Sequence, residues 1–479
     1  MYFEQFYLTC LAHASYMIGS EGEAAVVDPQ RDVDIYLKAA EEQDLKIRYI
    51  FETHLHADFV SGHKELAART GANIYIGAQA EAGFPHVALH DGFEVKIGHA
   101  LVRVLHTPGH TPESICLSIV DEKKTSANKP PEPWAVLTGD TLFIGDVGRP
   151  DLSRTHTPQQ LAGLLYDSLH QKLMSLPDAV LVYPAHGAGS LCGRAMRAEK
   201  SSTIGTERLT NYALQIGSRE EFIRQLTANL PARPDYFLED AEINRSGASA
   251  LADLPPLRAL SASEVKALLE QGVYVLDVRP GDEFAAGHVP GSVNIALSGQ
   301  FASWAGAMLG IHSRPVLIGS SSTQIEEARL RLTRVGIEDL RGNLSEGVAG
   351  WRQAGLPLLK TPQISVQELD EKLRREAAEQ GCANRLAVLD VRREGEWNSG
   401  HIAQAVWRAL DAFPQGLPEI DASREVAVHC KSGYRSMIAC SLLERAGHRN
   451  VGNVVGGFDA WHAAGLPESS SEMSVVGSK

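Results

Sequence analysis

The sequence predicts an α/β protein in which one larger domain is followed by two copies of a smaller domain. In the first part of the chain, four short apolar runs, each typical of a buried strand, are followed by histidine or aspartate residues. In the second half one pattern occurs twice, because Asp277 corresponds to Asp390 and His288 to His401, a shift of 113 residues in both pairs. Strand-like and helix-like runs alternate in all three regions, which indicates sheets covered by helices.

Length and composition limit the classes of function. A chain of 479 residues is long enough for about three domains. Its net charge of −14 argues against a nucleic-acid or anionic-membrane partner, and no run approaches the length of about 18 apolar residues that a membrane helix needs. The six cysteines include no C-x-x-C pair, which indicates reduced thiols and a cytoplasmic protein. The sequence leaves open whether the chain forms a homo-oligomer.

Candidate metal ligands follow the four apolar runs, which are Ile47–Thr53, Leu101–Leu105, Trp134–Leu137 and Ala179–Val182. The candidate ligands are His54, His56, Asp58, His110, Asp140 and His186. Because the four strands would end at one edge of the fold, we expect these side chains to meet there. A metal ion bound at such a site activates water or oxygen at neutral pH.

The four ligand-bearing runs resemble the metallo-β-lactamase superfamily, and the resemblance covers the chain from Met1 to about Leu230. It implies an αββα sandwich, in which two sheets pack face to face and the helices lie outside. In the dinuclear hydrolases of that superfamily the first motif is H-x-H-x-D-H. Here Phe59 takes the last position and cannot coordinate a metal, so a single ion is favoured.

The spacing of the candidate ligands leaves two kinds of metal site open. Zinc bound by His54, His56 and His110 would supply a hydroxide for hydrolysis. Iron bound by His54, His110 and Asp140 would form a 2-His-1-carboxylate triad with open positions for oxygen and substrate. A narrower resemblance favours iron, because the runs THLHADFVSGH, TPGHTPES, TGDTLFIGDVGRPDL and YPAHGAGSLCG are similar to persulfide dioxygenases that are fused to rhodanese domains.

That resemblance implies one Fe(II) per chain. It also implies that O2 oxidises the terminal sulfur of a low-molecular-weight thiol persulfide, such as glutathione persulfide, to sulfite. The implied iron ligands are His54, His110 and Asp140. Three further groups would orient the ligands and bound water through hydrogen bonds. These are His56, Asp58 and His186, for which the alternative is a residual hydrolase site that still binds zinc.

Arg149, in the run GDVGRPDL, has two interpretations. Its guanidinium could bind the carboxylate of a thiol substrate through two parallel hydrogen bonds. It could equally form an ion pair with Asp146 or Asp151 that holds its own loop. The sequence does not decide between substrate binding and loop structure.

The second copy of the repeated domain contains a cysteine loop, HCKSGYRS, between an apolar run that ends at Val428 and a predicted helix from Met437. Cys430 would lie beneath backbone N–H groups and the positive end of that helix, which favours the thiolate over the thiol. Such a thiolate can accept a sulfane sulfur and carry it as a persulfide. The other loop residues are Lys431, Ser432, Gly433, Tyr434 and Arg435.

Two classes of enzyme use a cysteine loop of this kind. Phosphatases need C-x5-R, whereas Arg435 gives C-x4-R here and Ser436 stands at the phosphatase position. Together with LDVR and GHI, the loop makes this copy resemble a rhodanese sulfurtransferase domain, which implies sulfur transfer with sulfite or thiosulfate. In the first copy Ser320 replaces the cysteine and Ile325 replaces the arginine. We therefore predict that the first copy is catalytically silent.

The predicted organisation begins with a metallo-β-lactamase-fold domain over residues 1–235 and a linker over 236–257. A silent rhodanese-like domain over 258–360, a rhodanese domain over 361–468 and a tail over 469–479 follow. The predicted function is a persulfide dioxygenase coupled to a sulfurtransferase. Two other functions remain open. One is a zinc-dependent hydroxyacylglutathione hydrolase of the glyoxalase II kind, and the other is a binding protein that responds to sulfide.

Overall fold

The computed structural model describes residues 1–124, 132–228, 230, 233–378 and 385–470. The chain divides into two compact units, of which the first contains Met1–Leu254 and the second begins at Pro255. Within these described ranges, no helix combines the length and the apolar character that a membrane span requires. From residue 471 onward, the predicted tail lies outside the described residues.

Two six-stranded sheets form the centre of the first unit. The first sheet pairs its strands in chain order, antiparallel from β1 to β3 and parallel from β3 to β6. Its strands are β1 (Tyr2–Leu8), β2 (His13–Ser20), β3 (Glu23–Val27), β4 (Lys46–Glu52), β5 (Asn73–Gly77) and β6 (Val87–Leu89). The second sheet has the order β12-β11-β10-β9-β8-β7, and in it β10 and β11 are parallel. Its strands are β7 (Glu94–Ile97), β8 (Ala100–His106), β9 (Ile115–Asp121), β10 (Ala135–Gly139), β11 (Leu181–Pro184) and β12 (Ser202–Thr203).

The two sheets pack face to face through an apolar core. Tyr16 and Phe51 from the first sheet and Val102 and Leu117 from the second are fully buried in this core. Helices cover the outer faces, with α1 and α2 on the first sheet and α3 and α5 on the second. The helices are α1 (Asp34–Glu42), α2 (His63–Thr70), α3 (Pro158–Gln171), α4 (Ile204–Thr210), α5 (Arg219–Thr227) and α6 (Phe237–Ser246). The αββα sandwich predicted from the sequence is confirmed.

Helix α6 lies in the segment that the sequence analysis assigned to a linker, residues 236–257. The structure corrects that assignment, because Phe237, Asp240 and Asn244 of this helix are fully buried and the first unit continues to Leu254. The sequence pattern does not reveal this helix because two of its three buried positions are polar. The spacing of apolar residues at every third or fourth position, which usually marks a buried helix face, is therefore missing.

The second unit contains two parallel five-stranded sheets with the same arrangement of strands, β13-β17-β16-β14-β15 and β18-β23-β22-β19-β21. The first consists of β13 (Ala259–Leu260), β14 (Val275–Asp277), β15 (Val293–Asn294), β16 (Val316–Ile318) and β17 (Gly342–Leu344). The second consists of β18 (Gln363–Ile364), β19 (Leu386–Asp390), β21 (Ala405–Trp407), β22 (Glu425–His429) and β23 (Val451–Val454). A separate antiparallel pair joins β20 (His401–Ile402) and β24 (Glu468–Ser469). The repeat detected in the sequence is therefore a structural repeat.

Helices flank both sheets of the second unit. The first repeat contains α7 (Ala262–Glu270), α8 (Gly281–Ala286), α9 (Phe301–Leu309), α10 (Ser322–Thr333) and α11 (Gly347–Gln353). The second contains α12 (Val366–Ala378), α13 (Glu394–Asn398), α14 (Tyr434–Arg445) and α15 (Gly457–Ala463). Cys430 follows β22 directly and α14 begins four residues later, so the cysteine loop joins a central strand to a helix as the sequence predicts.

Candidate metal centre and cysteine loop

The strands of the first unit bring the predicted metal ligands together. His54 follows β4, His110 follows β8, Asp140 follows β10 directly, and His186 follows β11. All four side chains are at most 1% exposed. Because the strands end at the same edge of the sandwich, residues far apart in sequence share one buried site.

Three ligand atoms converge in this site. The Nε2 atoms of His54 and His110 lie 3.8 and 3.4 Å from Oδ2 of Asp140. Each of the three atoms is buried and has no hydrogen-bond partner among the described residues. Buried polar atoms are normally hydrogen-bonded, so three unpartnered atoms that face one another fit a metal ion. Two imidazoles and one carboxylate form the donor set of a facial triad.

Hydrogen bonds fix the tautomers of both histidines. The Thr53 hydroxyl donates to Asp28, so its oxygen accepts the proton of His54 Nδ1 at 3.0 Å. His110 Nδ1 donates to the Arg149 carbonyl at 2.9 Å. In both rings the Nε2 lone pair is left for a metal. Burial lowers the pKa of both rings, which keeps them neutral as ligands must be.

His186 orients the carboxylate of the triad. Its Nδ1 lies 2.7 Å from Oδ1 of Asp140, and its Nε2 lies 2.9 Å from Oδ2 of Asp58. Burial alone would lower the pKa of His186, but the two carboxylates raise it well above its usual value. Burial would likewise raise the pKa of Asp140, but the charge of His186 helps to hold it well below its usual value. His186 therefore occupies one oxygen of Asp140 and leaves Oδ2 facing His54 and His110.

His56 points to a different set of partners. Its Nε2 lies 3.2 Å from Oδ1 of Asp28 and 3.8 Å from Oε2 of Glu52, both buried. Burial would lower the pKa of His56, but Asp28 raises it above its usual value. Phe59 is fully buried and its ring lies 4.4 Å from the His56 ring, where it fills space beside the histidine. The structure thus separates His56 from the convergent atoms of His54, His110 and Asp140.

A second group of possible ligand atoms lies next to the triad. The atoms of His56, Asp58 and His186 lie within 4.8 Å of one another. His186 is already engaged by two carboxylates, and Phe59 adds no ligand at this position. Cys192, in the loop after His186, is 1% exposed, and burial raises the pKa of its thiol well above the usual value. Cys192 is therefore a packed thiol.

Arg149 holds its own loop. Its guanidinium forms two hydrogen bonds with the Asp151 carboxylate, at 2.7 and 2.8 Å, and a third with the Leu191 carbonyl. The side chain is 5% exposed. This geometry matches the loop-structure interpretation, and it leaves the backbone carbonyl of Arg149 to orient His110.

Several residues that shape the site were missed by the sequence analysis. Glu113 accepts the backbone N–H of Leu55, between the two histidines of the first motif, at 3.0 Å. A Cβ on Gly148 would lie 2.0 Å from the Asp140 carbonyl oxygen and 2.8 Å from Nδ1 of His110, so only glycine fits there. Glycine in the run GDVGRP was the available signal for such a close approach.

A pocket of about 470 Å³ opens beside the metal ligands. Leu55 and Thr111, which are next in sequence to His54 and His110, line one side of it. The pocket is polar as well as apolar, with Arg154 among the charged groups on its wall. A cavity of this size next to a metal site is the expected place for a small organic substrate.

The cysteine loop of the second unit encloses the Cys430 sulfur. Cys430 is 1% exposed, and the Gly433 N–H donates to its Sγ at 3.1 Å. The Ser436 hydroxyl lies 3.5 Å from the same sulfur. The first turn of α15 anchors the loop, because the N–H groups of Phe458 and Asp459 donate to the carbonyls of Cys430 and Lys431. One backbone N–H and one hydroxyl thus lie within reach of the buried sulfur.

The remaining loop residues have distinct surroundings. Arg435 is paired with Glu396 through two hydrogen bonds of 2.6 and 2.7 Å. Lys431 and Ser432 are exposed. The Tyr434 hydroxyl donates to the Ala296 carbonyl of the first repeat at 2.8 Å. The loop is thus fixed on one side by its own domain and on the other by the first repeat.

The equivalent loop of the first repeat is differently built. The hydroxyl of Ser320 donates to Glu283 at 2.9 Å, and its backbone N–H donates to the Gln324 side chain at 2.8 Å. A serine hydroxyl has no sulfur atom, so it cannot carry sulfane sulfur as a persulfide. That this repeat is catalytically silent stays a prediction.

Comparisons with known proteins agree with this division of the chain. The model of the metallo-beta-lactamase superfamily matches residues 8–186. The model of the rhodanese-like domain matches residues 261–354 and 365–464. The mitochondrial persulfide dioxygenase ETHE1 of Bos taurus is 31% identical over 230 residues, which are 45% of this chain and 77% of that protein. The chain belongs to the metallo-beta-lactamase superfamily.

Within that superfamily the chain is similar both to persulfide dioxygenases and to hydroxyacylglutathione hydrolases. A hydroxyacylglutathione hydrolase of Francisella philomiragia is 32% identical over 177 residues, which are 37% of this chain and 63% of that protein. A metallo-beta-lactamase crystal structure from Staphylococcus aureus is 31% identical, covers 71% of this chain and 98% of its own, and has a TM-score of 0.63. The persulfide dioxygenase and the hydrolase have nearly the same sequence identity to this chain, 31% and 32%. The reaction therefore has to be argued from the site.

Proposed function

We propose that the first unit is an Fe(II)-dependent persulfide dioxygenase with one iron per chain, and that Cys430 of the second unit is the carrier of a rhodanese sulfurtransferase. The observation that carries the first part is the convergence of His54 Nε2, His110 Nε2 and Asp140 Oδ2, three buried atoms without a hydrogen-bond partner among the described residues. A triad of this composition is typical of non-haem iron oxygenases.

The proposed reaction converts a thiol persulfide, O2 and water into a thiol, sulfite and two protons. The terminal sulfur is oxidised, dioxygen is reduced, and the sulfur–sulfur bond breaks. The electrons that reduce dioxygen come from the oxidised sulfur. Ferrous iron, when bound, would activate dioxygen and offer open coordination positions.

Residues of this chain keep the metal-ligand atoms in position for that reaction. The Arg149 carbonyl and the Thr53 hydroxyl keep the His110 and His54 lone pairs directed at the site. His186 keeps Asp140 in the orientation that leaves Oδ2 free. The adjoining pocket of about 470 Å³ would hold the organic part of the persulfide, with glutathione persulfide as the first substrate to test.

In the second unit, the Cys430 thiolate would attack the outer sulfur of a persulfide. The donor's sulfur–sulfur bond breaks, the donor leaves as a thiol, and Cys430 becomes a cysteine persulfide. Attack by sulfite on the outer sulfur then yields thiosulfate and regenerates the thiolate, with charge conserved. Gly433 would stabilise the thiolate through its N–H. A pocket of about 330 Å³, lined by Gly433 and Tyr434 together with Asp282 and Ser298 of the first repeat, would bind the sulfur acceptor.

A second candidate is a zinc-dependent hydroxyacylglutathione hydrolase. The proximity of His56, Asp58 and His186 favours it, because these groups belong to the ligand set of dinuclear hydrolases. Against it, His56 faces Asp28, and Phe59 cannot complete a second site.

We also propose that the protein works in the cytoplasm, where its free cysteines among the described residues stay reduced.

The two proposed activities can be separated by two substitutions in the full chain. Asp140→Asn should abolish oxygen uptake on glutathione persulfide but leave thiosulfate-dependent sulfur transfer intact. Cys430→Ser should abolish sulfur transfer but leave oxygen uptake intact. Cys440→Ala, which removes a buried thiol from α14 outside the loop, is the matched control and should retain both activities. A sulfide sensor would lack both activities from the start, and sulfur transfer that survives Cys430→Ser would refute the assignment of the carrier.

A further inference from the structure

Helix α6 contacts both the substrate pocket and the loop that carries the metal ligands. On one face, Asn244 is fully buried and faces the loop between β4 and α2, which contains His54 and Asp58. On a neighbouring face, Leu238, Ala241, Glu242 and Arg245 line the pocket of about 470 Å³. Residues three and four apart share one side of a helix, so the two sets lie on adjacent sides of α6.

Asn244 makes three hydrogen bonds to the backbone of this loop. Its Nδ2 donates to the carbonyls of His56 and Phe59, both at 2.7 Å. Its Oδ1 accepts the N–H of Ser61, also at 2.7 Å. A single amide therefore satisfies three buried polar groups of the segment that follows His54. Few other side chains could replace it, since both donors and an acceptor are needed in one plane.

We infer that Asn244 is a positioning residue for the metal site, and that through it α6 couples occupancy of the pocket to the metal-ligand loop. This inference rests on the metal site of the proposed function, but it does not depend on which reaction the metal serves. Of the loop's other anchors, Asp28 on Thr53 and Glu113 on Leu55 hold the segment before His56. The Ser61 hydroxyl bonds to Glu52 and to the Pro29 carbonyl at the far end of the loop. Asn244 holds the segment after it, which has to stay in place for Asp58 to reach His186.

The first test is metal affinity, measured by competition with a chromophoric chelator under anaerobic conditions. Asn244→Ala in the full chain should weaken Fe(II) binding about ten- to hundredfold, the usual effect of removing a group that orients metal ligands. The matched control is Asn294→Ala. Asn294 is a buried amide of the first repeat whose Nδ2 likewise donates to two backbone carbonyls, those of Asp277 and Arg279. The control should lower the unfolding temperature without changing metal affinity.

The second test is coupling, which a merely structural role would not produce. S-methylglutathione, a thioether that cannot react, should tighten Fe(II) binding to the wild-type chain. By reciprocity, Fe(II) should tighten thioether binding by the same factor. Both effects should be lost in Asn244→Ala. The EPR spectrum of the ferrous nitrosyl complex should also change in this variant and stay unchanged in Asn294→Ala.

A measurement on the wild-type protein covers the case in which Asn244→Ala does not fold. Hydrogen exchange of peptides that contain His56–Gly62 should slow when the thioether is added. Equal metal affinities for Asn244→Ala and Asn294→Ala, or no change in exchange, would overturn the inference. If the chain binds zinc and does not consume oxygen, the proposed function fails, and the same competition carried out with zinc still tests the role of Asn244.

Discussion

Replacing His186 by glutamine tests how the metal site is organised. In our account His186 does not bind the metal but orients Asp140, through contacts of 2.7 Å to Asp140 and 2.9 Å to Asp58. Removing a group of this kind typically weakens metal binding about ten- to hundredfold, which corresponds to about 1.4 to 2.8 kcal/mol. His186→Gln should therefore bind Fe(II) measurably, with an affinity reduced within that range.

The affinity is measured by anaerobic competition with a chromophoric chelator, and His13→Gln is the control. His13 is fully buried, its ring lies 5.4 Å from the His186 ring, and its nitrogens have no hydrogen-bond partner in the described part of the chain. This control should keep the wild-type affinity. Complete loss of metal in His186→Gln would show that His186 is a direct ligand, as in the hydrolases. Unchanged affinity would show that Asp140 needs no orientation.

Three further outcomes are expected. His110→Ala should lose iron and oxygen uptake, whereas His56→Ala should keep most of its iron by metal analysis; the reverse would show that the ligands are misassigned. A Cβ on Gly457 would lie 2.3 Å from the carbonyl oxygen of the loop cysteine. Gly457→Ala should therefore reduce thiosulfate formation at least about tenfold, while Gly465→Ala, also at positive φ but in open space, should not. Burial lowers the pKa of His429 to about 4, so unfolding takes up a proton between about pH 6.5 and 4, and stability falls as the pH drops through that window. From pH 7 to 5 this loss is about 2 kcal/mol in denaturant unfolding, and His429→Gln should remove that part of the pH dependence.

Local patterns were sufficient to predict the repeat and the meeting of the metal ligands, whereas the sandwich followed from the resemblance to the superfamily. Each metal-ligand run follows a short apolar strand, and strand ends collect at one edge of a sheet, so His54, His110 and Asp140 were expected to meet. The repeated LDVR segments likewise predicted two domains of the same kind. Periodicity and order along the chain carry this information directly.

Contacts between distant residues could not be predicted in the same way. Nothing near His56 in the sequence shows that its ring contacts Asp28. Nor does the sequence show that Asn244, 188 positions later, donates to the backbone carbonyl of His56. Arg149 illustrates the same limit, because its choice between a substrate and Asp151 depends on burial, which only the folded chain defines. Helix α6 was missed because its buried face is polar.

The central claim is tested most directly by metal analysis combined with oxygen uptake on the full chain, loaded anaerobically with ferrous salt. Our account predicts one iron per chain and the consumption of one O2 for each sulfite released from glutathione persulfide. Retained zinc, no oxygen uptake and rapid cleavage of S-lactoylglutathione would contradict it and would assign the chain to the hydrolases.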